Sequence, residues 1–275
     1  MLEKIFDLKA NGTSVRQELR AGLTSFMAMC YLIFVVPSML ADAGMPRESA
    51  VAAVIWVTIA ITLLMGLWAR FPVGVAPGLG ITAFFAYYVC GPAGYSWQTG
   101  LGAVFISGVF FMLLTVTRVR QMIIDAVPMD LKYAIVVGIG AFIAFIGLKN
   151  CGIVVADPST FVTLGPLTKP EALLALFFTP LVAMVPAYAT APVLVLVGAL
   201  MMQEVVQIKF RDLSVAIPAF LTIIAMPLTF NIATGFGFGF ISFVVLRVLT
   251  GRWREVSPIM YIVAVCFAAN FALRG

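Results

Sequence analysis

The sequence predicts an all-α integral membrane protein, a polytopic helical bundle of about eight or nine spans. Three observations carry that expectation. Apolar residues make up 63% of the 275 and charged residues only 11%, where a soluble domain carries roughly a quarter, and mean hydropathy stands at +1.10. Apolar runs of spanning length recur along the chain, separated by loops rich in polar residues, Pro and Gly. The cations are also lopsided. With the N-terminus inside, inner segments hold 13 of the 17 Lys and Arg, and only Arg47, Lys149, Lys169 and Arg274 fall outside, a strong positive-inside bias. Topology thus accounts for the net charge of +5 and leaves a nucleic-acid partner nothing to explain.

In order, residues 1–20 form a polar, amphipathic cytoplasmic lead-in without the apolar core of a cleaved signal peptide. A span needs about 20 mainly apolar residues, and Ala21–Leu40 and Ala50–Trp68 supply the first two. The third, Phe71–Tyr88, is broken. Gly100–Val116 and Ala134–Leu148 follow, then a loop over 151–171 that is too polar and proline-rich to span. Glu171–Met202 is apolar but interrupted by Pro180, Pro186 and Pro192, which reads as a short outer hairpin or kinked segment leading into a span over Ala189–Met202. Ala216–Leu228 and Ile232–Leu249 sit back to back, and the short run Ile259–Leu273 spans or lies in the interface.

The broken element organises the rest. Pro72, Gly74, Pro77, Gly78 and Gly80 crowd into nine residues of apolar sequence, FPVGVAPGLGITAFFAYY. Proline lacks the amide donor and clashes with the preceding turn, and glycine loosens the backbone further. Facing lipid, the freed backbone groups would each cost several kcal/mol, so the break belongs inside protein or beside a cavity. Past it, Ile81–Val89 reads as a clean half-helix whose N-terminal amides could face a ligand. On that reading the amides of Gly80–Phe84 (Gly80, Ile81, Thr82, Ala83 and Phe84) donate hydrogen bonds, the Thr82 hydroxyl assists, Phe84 or Phe85 stacks, and Tyr31 of the first span lines the cleft. The competing reading is a break that merely lets two helices pack closely. The residues alone balance the two.

Other chemistry is sparse. Every one of the twelve Asp and Glu lies in a predicted loop or at a span end, and histidine is absent. A group buried in the membrane that could carry a proton is therefore missing from the predicted spans. Cys30, Cys90, Cys151 and Cys266 show no metal-ligand spacing and read as free thiols, a Cys90–Cys151 bridge being the less favoured alternative. No cofactor, metal site or nucleophile–base pair is implied, so an enzyme is not expected. Gly235 and Gly239 form a G-x-x-x-G pair suited to close helix contact, and Asn231 reads as the N-cap of the helix that follows.

Four stretches resemble one family: ELRAGLTSFMAMCYLIFVVPSMLADAGMP, APGLGITAFFAYY, LKYAIVVGIGAFIAFIGLKNCGIVVADPSTFVTLG and AIPAFLTIIAMPLTFNIATGFGFGFISF. The chain is similar to the nucleobase–cation symporters of the xanthine/uracil permease superfamily, in the adenine/guanine/hypoxanthine permease branch. The resemblance implies an inverted-repeat transporter of about fourteen spans, with a core and a gate domain, importing purine bases with protons across the bacterial inner membrane. Mapped here, 21–117 is a partial core (substrate) domain and 118–275 a partial gate domain. The middle spans are missing, with a deletion seam near 176–179, where Ala172–Phe177 runs into Phe178–Met184. Three positions depart from the pattern: Ala28 for Thr, Val36 for Asn, and Thr82 for Asn. The expected function is a purine permease that does not transport on its own. The alternative is a non-transporting remnant or the packing partner of a complementary chain. A homodimer is the other assembly left open, although two chains inserted the same way cannot supply the inverted half.

Overall fold

The computed structural model describes residues 12–71, 73–117, 119–167 and 190–274, together with Phe6 and Leu8. The N-terminal helices are α1 (Val15–Met29), α2 (Leu32–Asp42), α3 (Arg47–Leu67), α4 (Leu79–Phe84, continued by a π-wound turn over Phe85–Val89), α5 (Trp97–Val116), α6 (Val119–Ala126) and α7 (Met129–Asn150). A hairpin of β1 (Val154–Asp157) and β2 (Phe161–Leu164) follows, then α8 (Thr190–Met202), α9 (Leu213–Thr229), α10 (Ile232–Leu249) and α11 (Pro258–Arg274). Among the described residues, five helical stretches are long and apolar enough to cross a bilayer: Val15–Asp42, Arg47–Leu67, Trp97–Val116, Met129–Asn150 and Ile232–Leu249. Side-chain caps start several helices. Ser14 accepts from the Gln17 amide, Ser96 from Thr99, Asp212 from Ser214, and Asn231 from Thr234.

The bundle is built around α7, which runs through two apolar clusters. Phe142, Ile143 and Ile146 pack with Val35, Val36, Ala83, Met226 and Ile232 toward one end. Leu131, Ala134 and Val137 pack with Val215, Phe240, Phe243 and Met260 toward the other. Small residues set the crossings, as close packing in lipid requires. A Cβ on Gly140 would stand 2.8 Å from the Gly198 carbonyl oxygen of α8. Gly235 abuts Met226 and Thr222 of α9 and Gly239 abuts Thr222, while Gly237 meets Phe267 and Phe271 of α11, so the G-x-x-x-G pair is a packing face. The outer helices are thinly covered. Only Ala50 and Val54 of α3, and only Gly100 of α5, are buried.

Several expectations need correction. The first span is two helices, interrupted at Cys30–Tyr31; Pro37, inside α2, has no amide to give the Ile33 carbonyl. The half-helix is not a clean α run, because it widens into the π turn after Phe84. The all-α expectation misses the hairpin, paired antiparallel from Val154↔Leu164 to Asp157↔Phe161. Its turn is held by the Asp157 carboxylate, which accepts the Ser159 and Thr160 amides at 2.8 and 2.9 Å. The seam near 176–179, Pro72, Arg118, Lys169 and the stretch leading into Thr190 lie outside the described residues.

Candidate functional site: the unwound arm and its half-helix

At the end of α3, Arg70 turns the chain through a left-handed backbone at φ 51°. The Phe71 amide reaches back to the Met65 carbonyl at 3.0 Å, and residues 73–78 carry no regular secondary structure. One side chain of α3 satisfies this unwound arm. The Thr62 hydroxyl donates to the Val75 carbonyl at 3.2 Å and accepts the Val75 amide at 3.1 Å. Gly74 is pressed on Met29 of α1, whose Sδ lies 2.7 Å from where a Cβ would stand. Both freed groups of Val75 are thus paired inside protein, which is the condition for irregular backbone at membrane depth.

The half-helix begins at Gly78. The Thr82 amide and the Thr82 hydroxyl both donate to the Gly78 carbonyl, each at 3.0 Å. That commits two of the donors expected to face a ligand. The amides ahead of Thr82 have no intrahelical acceptor, as at any helix start. Gly80 abuts Ile232, whose Cδ1 lies 2.9 Å from a would-be Cβ, so the beginnings of α4 and α10 meet side by side.

The structure splits the predicted binding set. Gly80 and Thr82 are buried and Ala83 is fully so, in the first core cluster, with Tyr31 half-buried against it. Phe84 stacks on Tyr88 at 5.2 Å and 15°. Phe85 is turned away, its ring on Gly100 of α5. A cleft of about 590 Å³ opens instead on the arm's side of the break, between Ser25 and Met29 of α1, Thr58 and Thr62 of α3, and Val73 and Gly74. None of Tyr31, Gly80, Thr82, Ala83, Phe84 or Phe85 lines it. Of the helix-break residues, Gly74 does, and Pro77 and Gly78 lie just beyond.

Sequence reasoning missed the polar cluster at the far end of the half-helix. There the Tyr87 hydroxyl donates to Asp42 Oδ2 at 2.8 Å, and Lys149 Nζ lies over the rings of Phe230 and Tyr87, at 4.9 and 5.6 Å. Asp42 is 45 residues from Tyr87 in sequence, so no local spacing announces the pair. Each described acid lies at a helix end, in a short 3-10 turn or in a loop: Glu18, Glu48 and Asp130 in first turns, Asp42 closing α2, Asp125 near the end of α6, Glu204 and Glu255 in 3-10 turns, Asp212 capping α9 and Asp157 in the hairpin. None is buried.

A helical bundle with an unwound, internally paired segment is the architecture of a multi-pass membrane transporter. Residues 16–175 match the permease family, and the chain belongs to that family, of xanthine/uracil permease type. A Methanocaldococcus jannaschii protein named as a permease is 32% identical over 98% of both chains. The adenine permease AdeQ of Escherichia coli is 27% identical over 99% of this chain and 96% of the relative. The guanine/hypoxanthine permease PbuO of Bacillus subtilis is 28% identical over 96% of this chain and 98% of the relative. Against the Methanocaldococcus protein the alignment runs over 426 positions while this chain has 275 residues, so at least 151 of those positions face no residue here.

Proposed function

We propose that the chain is a purine-nucleobase permease polypeptide that keeps one half of a base-binding site and does not, alone, drive proton-coupled uptake. The observation that carries the reading is the arm and half-helix over Val73–Val89, unwound inside a transporter bundle and stabilised by Thr62. The relatives' names supply the substrate class: adenine for one, guanine and hypoxanthine for another. A purine needs a few convergent donors and acceptors in an apolar cleft, and the Thr58 hydroxyl and the arm at Val73, Gly74 and Ala76, which line the cleft beside the break, provide some of them. Proton coupling needs an ionisable group within the membrane, and the described acids all stand at helix ends, in short turns or in loops. The proposal includes a partial core over 21–117 and a partial gate over 118–275 joined near 176–179, with the N-terminus on the cytoplasmic side of a bacterial inner membrane. The family match ending at residue 175 supports that seam.

A second reading, the packing partner of a complementary chain, is favoured by a specific observation. The positions with no counterpart here amount to several spans, and α5 has one buried residue.

Equilibrium binding of radiolabelled hypoxanthine, guanine and adenine to the purified protein tests the half-site. Saturable binding is expected, displaced by unlabelled purine and not by a hexose. No saturable component at millimolar base would overturn it.

A further inference from the structure

The cluster around Tyr87 joins two backbone irregularities that face each other. On one side is the π-wound turn Phe85–Val89, closed by the Cys90 amide on the Phe85 carbonyl at 3.0 Å. A π turn is rare and inserts a residue into the α register. On the other side is Phe230, which links α9 to α10 in a left-handed backbone at φ 50°, ψ 31°. A bulky residue adopts that conformation only when its surroundings enforce it.

One set of contacts reaches both. The Tyr87 and Phe230 rings meet edge to face at 6.4 Å and 85°. Phe230 is gripped from the far side by Phe142 at 5.7 Å and Phe145 at 5.5 Å. The Lys149 ammonium covers both rings, as cation–π attraction favours, and Asp42 accepts the hydrogen bond of the Tyr87 hydroxyl. Asp42 and Lys149 are exposed whereas Phe142 is fully buried, so the cluster lies at the rim of the bundle, within reach of solvent. It ties the half-helix to the α9–α10 turn, across the seam in the chain.

We propose that this cluster is a two-position clasp on the half-helix. It is engaged while Phe85–Val89 is π-wound and released when that turn relaxes to α winding. Rewinding Phe85–Val89 to α geometry tightens its winding to about 100° per residue and swings Tyr87 about the helix axis, off Asp42 and Phe230 together. Release also removes the Tyr87 side of the cage around Phe230, leaving Phe142 and Phe145 to hold it. Such a device needs two packed arrangements of one element, and the π turn supplies the second. The inference does not depend on which base, if any, the chain binds.

Cys90 closes the π turn and reports its state. In a protein whose Cys30, Cys151 and Cys266 are replaced by Ser, maleimide labelling of Cys90 is followed alongside thermal melting in the same detergent. Tyr87→Phe, Lys149→Gln and Phe230→Gly each remove one part of the clasp. Phe230→Gly does so while suiting the left-handed backbone, and so preserves folding. The expected result is Cys90 labelling about three- to tenfold faster in all three, at temperatures well below melting, with the Tyr87→Phe/Phe230→Gly double variant no faster than the quicker single one. Rates unchanged from the parent, or rising only in step with lost melting temperature, would overturn the clasp and leave an ordinary packing contact.

Discussion

A threonine hydroxyl can donate and accept at once, and Thr62 does both for Val75. Removing it leaves two backbone groups without partners in an apolar setting, at a cost of about 1–3 kcal/mol for each buried group left unpaired. Thr62→Val therefore lowers the melting temperature in detergent by several degrees, while Thr62→Ser keeps both bonds and most of the stability; equal melting of the two variants would remove this role. Charge matters at the membrane edge. The Asp212 carboxyl is held below its ordinary value of 3.8, first by the Ser214 hydroxyl, then by the Ser214 amide, with Arg252 adding to it. A carboxyl whose pKa is lowered by folding contributes stability above its unfolded pKa and loses it as pH falls through the folded one. The melting advantage of wild type over Asp212→Asn is accordingly full near neutral pH and shrinks below about pH 4. A difference that grows on acidification would contradict the assignment.

At the scale of elements, the apolar runs located the helices and misjudged their ends. The second span was expected over Ala50–Trp68 and the helix covers Arg47–Leu67; the fifth was expected over Ala134–Leu148 and the helix covers Met129–Asn150. Hydropathy reports depth in the membrane, whereas a helix continues into the polar interface, where Arg47, Glu48, Asp130 and Lys132 stand. The π turn left no trace in sequence, because its side chains suit either winding. The hairpin was legible in principle: Asp-Pro-Ser-Thr between two β-branched runs is turn chemistry, and the loop's polarity masked it. Contacts separate glycines that look alike in sequence. Gly140→Ala must push α8 away, since its Cβ would meet Met201 Cβ at 2.7 Å, whereas Gly102 has nothing within 4 Å. The first substitution is expected to cost about 1–3 kcal/mol and Gly102→Ala to be neutral or stabilising by up to about 1 kcal/mol, read by thermal melting of each. The same loss at both sites would dismiss the crossing.

For the whole molecule, composition and cation asymmetry were enough to announce a polytopic membrane protein, and the quoted stretches its permease family. The location of the break was legible too, since Pro72, Gly74, Pro77 and Gly78 can hardly be helical together. The facing of each site residue was not. Which side of a half-helix meets a cavity depends on partners far away in sequence: Ile232 takes up Gly80, Gly100 takes up Phe85, and Asp42 takes up Tyr87. Under the proposed function, some partners that would complete a base site fall among the positions the relatives have and this chain does not.

Uptake of radiolabelled hypoxanthine, guanine and adenine into a bacterium lacking its own purine transport, expressing this chain alone in its membrane, tests that incompleteness most directly. Counts at the vector level are expected whether or not a proton gradient is imposed. Accumulation clearly above vector, abolished by a protonophore, would contradict it.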